Sequence, residues 1–291
     1  EIMKEKKKED PLKLFEQVIV DLENLMRQNT TVTDFPVSLG GAYVNRGNIA
    51  QDVNDLEGAL GWYTHAIKVV EPVVSQNERD IEARRALVAG LVGRAEVLER
   101  LGRYDEAIGE LNRAKPLAHP NVDNCLRGLT DCYTKLRQPE KAEPFLRQLI
   151  ALWKEQDGDQ SPRYIQGLTS LGLNLLEQQK SNDAELLLRE CLAICEKAQP
   201  DDWTTFHIKS LLGGSLLAQN NYADAESLLL AGYEGISERE DKIPPEAKPR
   251  LAEAIQRLVV LYDAWGKKDK AADWRKKQEK QPSKVPTSSE K

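Results

Sequence analysis

The sequence predicts an all-α fold, a right-handed superhelix (α-solenoid) of about six helix pairs. Three observations carry that reading. An alanine recurs as Ala59, Ala107, Ala142, Ala184, Ala225 and Ala271, at intervals of 48, 35, 42, 41 and 46 residues. Self-similarity on this scale is the trace of stacked supersecondary units. Counting that alanine as position 20 of a unit of about 34 residues, position 11 reads Ala50, Leu98, Tyr133, Leu175, Leu216 and Tyr262, apolar in every copy. Prolines then follow the first five units, at Pro72, Pro120, Pro162, Pro200 and Pro244, and a residue without an N–H stops a helix. One alanine would mean nothing in a good helix former; six in register with apolar partners form a pattern.

Other positions support the register. Position 8 is Gly47, Ala95, Thr130, Gly172, Gly213 and Val259; position 27 is Ala66, Ala114, Leu149, Cys191 and Gly232. Small residues there let two antiparallel helices approach to ~8–10 Å. Position 24 supplies bulk as Tyr63, Leu111, Leu146, Leu188 and Leu229, and Arg275 breaks the rule in the last copy. Leucine in place of Ala184 or Ala225 should overpack the hairpin, whereas the pattern leaves Glu226 exposed and indifferent to the same change.

This pattern resembles the tetratricopeptide repeat over residues 34–277. Units of 41 or 42 residues exceed the minimal repeat by about two turns of ~3.6 residues, similar to the repeats of kinesin light chains. Pro116 should end its helix early and account for the short interval. Pro144 sits near a helix start, where free amides lower its cost.

Residues 1–33 are read as a charged tail and a single helix, opened by Asp10-Pro11, with Leu14, Phe15, Val18, Leu22 and Leu25 at helical spacing. That helix is expected to be the second of a truncated earlier repeat. The chain begins at Glu1 rather than methionine, so a fragment or processed piece is expected. Thr30 to Asp34 break the helix before the six repeats of residues 34–277. Between repeats four and five, Pro200 stops one helix, an aspartate caps the next and Trp203 packs across the junction. Residues 278–291 read as a disordered basic tail.

Composition narrows the function. Forty-one basic and 47 acidic residues give a net charge of −6, which argues against nucleic acid, whose binders present a basic stripe. From Lys267 onward there are nine basic and four acidic residues, leaving about −11 on the rest. No apolar run approaches the ~20 residues that span a bilayer, so no membrane insertion is expected of this segment. The cysteines fall as Cys125/Cys132 and Cys191/Cys195, and the histidines His65, His119 and His207 are scattered. Zinc wants four converging ligands, so small buried hydrophobes in a reducing compartment are expected, with no metal and no cofactor.

A narrower resemblance appears in Leu186-Leu187-Leu188-Arg189-Glu190-Cys191-Leu192-Ala193-Ile194, in Pro200-Asp201-Asp202-Trp203, in Leu211-Leu212-Gly213-Gly214-Ser215-Leu216, in Lys248-Pro249-Arg250-Leu251 and in Ala264-Trp265-Gly266-Lys267. Together these resemble the C-terminal repeat region of planctomycete-type bacterial serine/threonine protein kinases. The resemblance implies a kinase domain upstream, often a membrane segment, and repeats serving as a regulatory or docking arm. Kinase chemistry is absent from this chain: Asp34-Phe35-Pro36 lacks the glycine of a metal-binding Asp-Phe-Gly, and no phosphate loop or His-Arg-Asp occurs. The expected location is cytoplasmic, or outside the cytoplasm if the parent carries a membrane segment.

The function expected is a non-catalytic protein–protein interaction scaffold that takes a peptide or partner helix in a concave groove. The alternatives are a nucleic-acid-binding helical-repeat module or a stand-alone assembly scaffold without a kinase. A base code would need matched polar residues at one position; position 5 gives Val44, Val92, Arg127, Thr169, Ser210 and Gln256, which is none. In the tetratricopeptide pattern the groove positions hold Asn45, Asn48, Arg127, Asp131, Lys135, His207 and Ser210. Some members clamp a C-terminal carboxylate there, but Val44 and Gly93 stand where two clamp residues would sit. Arg127, Asp131 and Lys135 are four residues apart and either form an exposed charge ladder or offer Arg127 and Lys135 to acidic groups of a partner.

Overall fold

The computed structural model describes residues 11–28, 34–119 and 121–280. Among these residues there are thirteen α-helices, two short 3-10 turns and no strand. α1 (Pro11–Gln28) precedes six pairs: α2 (Asp34–Asp52) with α3 (Leu56–Gln76), α4 (Ile81–Arg100) with α5 (Tyr104–Ala114), and α6 (Asp123–Lys135) with α7 (Pro139–Asp157). The later pairs are α8 (Pro162–Glu177) with α9 (Ser181–Ala198), α10 (Trp203–Ala218) with α11 (Tyr222–Ser237), and α12 (Pro249–Ala264) with α13 (Lys268–Lys280). The chain divides into two compact units, Glu1–Phe145 and Leu146–Lys291.

In the first unit α1 lies on α2, each helix from α2 to α5 packs on the next, and the first helices also touch in sequence, α2 with α4 and α4 with α6. The second unit repeats the scheme from α8 to α13, with α8 touching α10 and α10 touching α12. Stacked first helices therefore form one continuous face in each unit.

The register follows from volume. All six position-20 alanines are fully buried. A Cβ on Gly172 would lie 2.6 Å from Leu188 Cδ2, and one on Gly213 2.7 Å from Leu229 Cγ. Position 8 is small because the position-24 side chain of the paired helix occupies that space. At position 27 a Cβ on Gly232 would meet the Ser210 backbone nitrogen at 2.8 Å, so two backbones approach there directly.

Each hairpin turns the same way. Position 15 is left-handed in all six: Asn54 (φ 61), Gly102 (φ 73), Arg137 (φ 55), Gln179 (φ 60), Asn220 (φ 62) and Gly266 (φ 76). The next N–H donates to the carbonyl of position 11, as in Arg103 to Leu98 at 2.8 Å, Gln138 to Tyr133 at 2.9 Å and Lys267 to Tyr262 at 2.9 Å. This is a Schellman closure, which satisfies carbonyls the helix end would leave bare. After such a turn α5, α9 and α11 begin without a side-chain cap, whereas α3 is capped by Asp55, which accepts from the Gly58 amide at 3.0 Å. Three of the first helices, α4, α8 and α10, are also capped by a side chain. Asp80 accepts from the Ala83 amide at 3.0 Å, and Asp202 accepts from the Thr204 amide at 2.8 Å.

Several sequence expectations need correction. Pro72 lies inside α3 and does not end it, and Pro162 is the first residue of α8; proline at a helix start loses only an amide that has no partner anyway. Pro120 lies outside the described residues. Pro116 behaves as expected, since α5 stops at Ala114, and Pro144 is carried within α7. On α1 the buried side is Ile19, with Phe15, Leu22 and Met26 beside it, while Val18 and Leu25 are exposed. Glu226 is not a bare surface position: it accepts from Tyr262 Oη at 2.8 Å and Lys270 Nζ at 2.9 Å. The predicted tail lies outside the described residues except for 278–280, which are helical.

Candidate partner-binding groove

The first-helix face of the first unit carries most of the predicted groove residues. α2 contributes Asn45 and Asn48, α4 contributes Glu96 and Glu99, and α6 contributes Arg127, Asp131 and Lys135. Asn45, Asn48, Arg127, Asp131 and Lys135 are all exposed. Among the described residues no hydrogen bond or ion pair within 4.0 Å ties Arg127, Asp131 or Lys135 to a partner, so the charge ladder does not close.

Asn48 is engaged. Tyr63, at position 24 on α3, passes between Gly47 and Gly93 and donates its hydroxyl to Asn48 Oδ1 at 2.6 Å. Gln51 Nε2 donates to Tyr63 Oη at 3.1 Å and to the Gly93 carbonyl at 3.3 Å. A Cβ on Gly93 would sit 2.5 Å from the Tyr63 ring, so the position that departs from the clamp pattern is held empty by the tyrosine. Burial first, then the nearby Glu96 and Asp52 carboxylates, push the Tyr63 hydroxyl up to about 12.

The carboxylates share this floor. Surrounding protein raises the pKa of Glu96, opposed by Arg127. Glu99 is raised by the same partial desolvation and then by Asp131, opposed by Lys135. Asp131 is raised by desolvation against the pull of Arg127 and Lys135. These side chains touch water, but the surrounding protein thins the water that would stabilise their charge. Three carboxylates thus face two cations; Glu96 and Glu99 stand at positions 9 and 12 of the second repeat, so the same positional pattern that picked out Arg127 and Lys135 could have found them.

His207 and Ser210 are corrections. Both are buried, at 3% and 0% exposure. α10 is covered by α8, α9, α11 and α12, and Ser210 Oγ faces Arg257 Nη1 at 3.3 Å. Trp203, tilted against the His207 ring at 6.2 Å, packs on the cluster of Ile236, Ile243, Leu251 and Ala254, which lies on the side of α11 and α12 and not at the junction of repeats four and five that the sequence reading named. Burial, with Arg250 and Arg257 adding to it, holds His207 down at about 3.

The cysteines are free and fully buried. Burial first pushes Cys125 up to about 11 and Cys132 to about 12. Cys191 fills the small position 27 and lies 3.8 Å from Thr169 Oγ1. Among the described residues no group of three or more His, Cys, Asp or Glu side chains is placed to hold a metal ion. No described helix is long and apolar enough to cross a membrane.

Stacked helix pairs with polar side chains gathered along a first-helix face define a helical-repeat architecture with an extended surface. The tetratricopeptide repeat family model matches residues 86–155 and 131–197. Residues 86–197 therefore carry tetratricopeptide repeats. Its fold is similar to that of BtubC (BKLC) from P. vanneervenii, at 18% identity over 79% of this chain and 94% of the other, with a TM-score of 0.56. A Podosopora anserina putative kinesin light chain with nearly identical TPR-like repeats aligns at 17% identity over 66% of this chain and 92% of the other, with a TM-score of 0.53. YrrB, a TPR protein with an unusual peptide-binding site, aligns at 18% identity over 76% of this chain and 98% of the other, with a TM-score of 0.50. No curated protein sequence matches the chain.

Proposed function

We propose that the chain is a non-catalytic scaffold whose first-helix groove holds an extended peptide or partner helix, with Asn45, Arg127, Asp131 and Lys135 among the contacts and Asn48 positioned behind them. The observation that supports this reading is the set of five charged side chains on α4 and α6 that lack a direct partner among the described residues. Glu96, Glu99 and Asp131 outnumber Arg127 and Lys135, and the raised pKa of each carboxylate marks charge that a cation would relieve. A partner segment with a lysine or arginine beside one acidic residue suits the floor better than a purely acidic one. The same carboxylates would repel a phosphate backbone, which weighs against nucleic acid.

The test is selection of binders from a random peptide library on the whole chain. Selected peptides should carry a basic residue, and Glu96→Gln with Asp131→Asn should weaken them at least about tenfold, roughly 1.4 kcal/mol, with no loss of melting temperature. Arg127→Ala with Lys135→Ala should weaken them less. Peptides that bind both variants as well as the parent would remove this floor from the site.

The further reading, that this scaffold is the regulatory or docking arm of a bacterial serine/threonine kinase, rests on the sequence phrases within 186–216 and 248–267. The gene's reading frame upstream of Glu1 tests it. A kinase domain there supports the link, and a start codon immediately before Glu1 removes it and leaves a stand-alone scaffold.

A further inference from the structure

Where α1 meets the first hairpin, α1, α2 and α3 line an open pocket of about 420 Å³. None of the proposed groove residues lines it. Its size falls in the ~300–1,000 Å³ range of small-ligand sites, room for on the order of a dozen groups of the ~30 Å³ that a water occupies. Met26, Leu39 and Val69 supply apolar walls, and Tyr43 closes one side. The Tyr43 ring is stacked on Trp62 at 5.8 Å and set 5.4 Å from His65, which also lines the site.

The charges around it are unequal. Glu23 is occupied: Tyr43 Oη donates to its Oε1 at 2.5 Å, and Arg27 Nη2 approaches its Oε2 at 3.4 Å. Arg27 and Lys68 both line the pocket, and among the described residues no carboxylate pairs with Lys68. One carboxylate therefore answers two cations, and one positive charge is left over beside an apolar wall.

We propose that this pocket binds a small amphipathic carboxylate, its apolar body against Met26, Leu39 and Val69 and its carboxylate at Arg27 and Lys68. A single anion matches the single surplus charge. A cationic amphiphile would meet two like charges, and a neutral one would leave Lys68 unanswered at an apolar surface. A free medium-chain carboxylate and the C-terminal apolar residue of a polypeptide present this same chemistry.

Calorimetric titration of the whole chain with decanoate, decanol and decylamine tests the inference. Decanoate should bind one per chain and at least tenfold more tightly than decylamine, with decanol between. Lys68→Glu should cost decanoate at least tenfold while leaving decanol binding and the melting temperature unchanged, because Lys68 is exposed and makes no ion pair that the fold needs. Arg27→Glu should act in the same direction, and Met26→Trp should block all three ligands. A blocked pentapeptide ending in leucine, as free acid and as amide, separates the sources. Tighter binding of the free acid than of decanoate assigns the site to a polypeptide terminus, and the reverse assigns it to a small molecule. Equal binding of decanoate and decylamine, an undiminished Lys68→Glu variant, or no binding by either source would overturn the proposal.

Discussion

Arg137 and Gln179 hold a backbone conformation that costs them energy, and glycine should be better at both. Their φ values of 55 and 60 repeat those of Gly102 and Gly266 at the equivalent corners. A left-handed residue with a Cβ pays ~1–2 kcal/mol, and glycine gives back ~0.5–1 kcal/mol through the greater freedom of the unfolded chain. Arg137→Gly and Gln179→Gly should therefore each stabilise by about 0.5–1 kcal/mol, and Gly102→Ala and Gly266→Ala should destabilise by a similar amount. Neither the Arg137 nor the Gln179 side chain makes a hydrogen bond or ion pair among the described residues, so little is lost with it. With a urea dependence of ~2 kcal/mol/M, each change moves the unfolding midpoint by about 0.25–0.5 M at constant slope. Asn54 and Asn220 should respond less to glycine, because asparagine tolerates this region. If Arg137→Gly lowers the midpoint, or Gly102→Ala raises it, the turns are not set by the left-handed residue and the shared corner geometry is wrong.

Ala184→Leu or Ala225→Leu should cost about 1–3 kcal/mol by overpacking, while Leu186→Ser, at a side chain 71% exposed, should be nearly silent in the same thermal melts; equal effects would reject the register. His207 is held neutral at about 3 by burial and the two arginines, well below its unfolded value of ~6.5. The unfolded chain thus takes up a proton that the folded chain refuses, and stability falls as pH drops from ~6.5 toward 3. His207→Gln should flatten urea midpoints across that window relative to the parent. An unchanged slope would show that His207 titrates normally and is not sealed in the packing.

The register was legible because a volume constraint acts in every repeat. The six alanines, the small residues at position 8 and the large ones at position 24 restate one requirement, so a single sequence suffices to see it. The turn signature was also present, since Asn54, Gly102, Asn220 and Gly266 are residue types that favour positive φ; Arg137 and Gln179 masked it. The proline rule was only partly readable, because proline stops a helix or starts one depending on its offset: Pro162 starts α8, and Pro72 is carried inside α3 without ending it. His207 and Ser210 were misplaced by assuming that each first helix keeps one face open. α10 also carries buried Thr205, Ile208, Leu211, Leu212, Ser215 and Leu216, and a helix apolar nearly all round is a covered helix. That signal was available and outweighs a positional template.

What no periodicity could show is the part Tyr63 plays in the groove. In the other hairpins the buried position-24 residues Leu188 and Leu229 fill the space beside glycines at position 8, and buried Leu111 lies against Gly128 on the next first helix. Tyr63 does the same packing work against Gly47, and its ring also reaches Gly93 on the next first helix. Its hydroxyl then emerges among Asn48 and Gln51, beside the Glu96 carboxylate that helps raise its pKa. The requirement for bulk at position 24 is met by either residue; the hydroxyl is an addition the scaffold does not need. It fixes Asn48, draws Gln51 across to the α4 backbone and leaves the carboxylates of α4 as the accessible charge. The packing rule thus leaves room for such a difference: a residue that satisfies the repeat on one side fixes, on the other, which polar groups are engaged and which stay exposed.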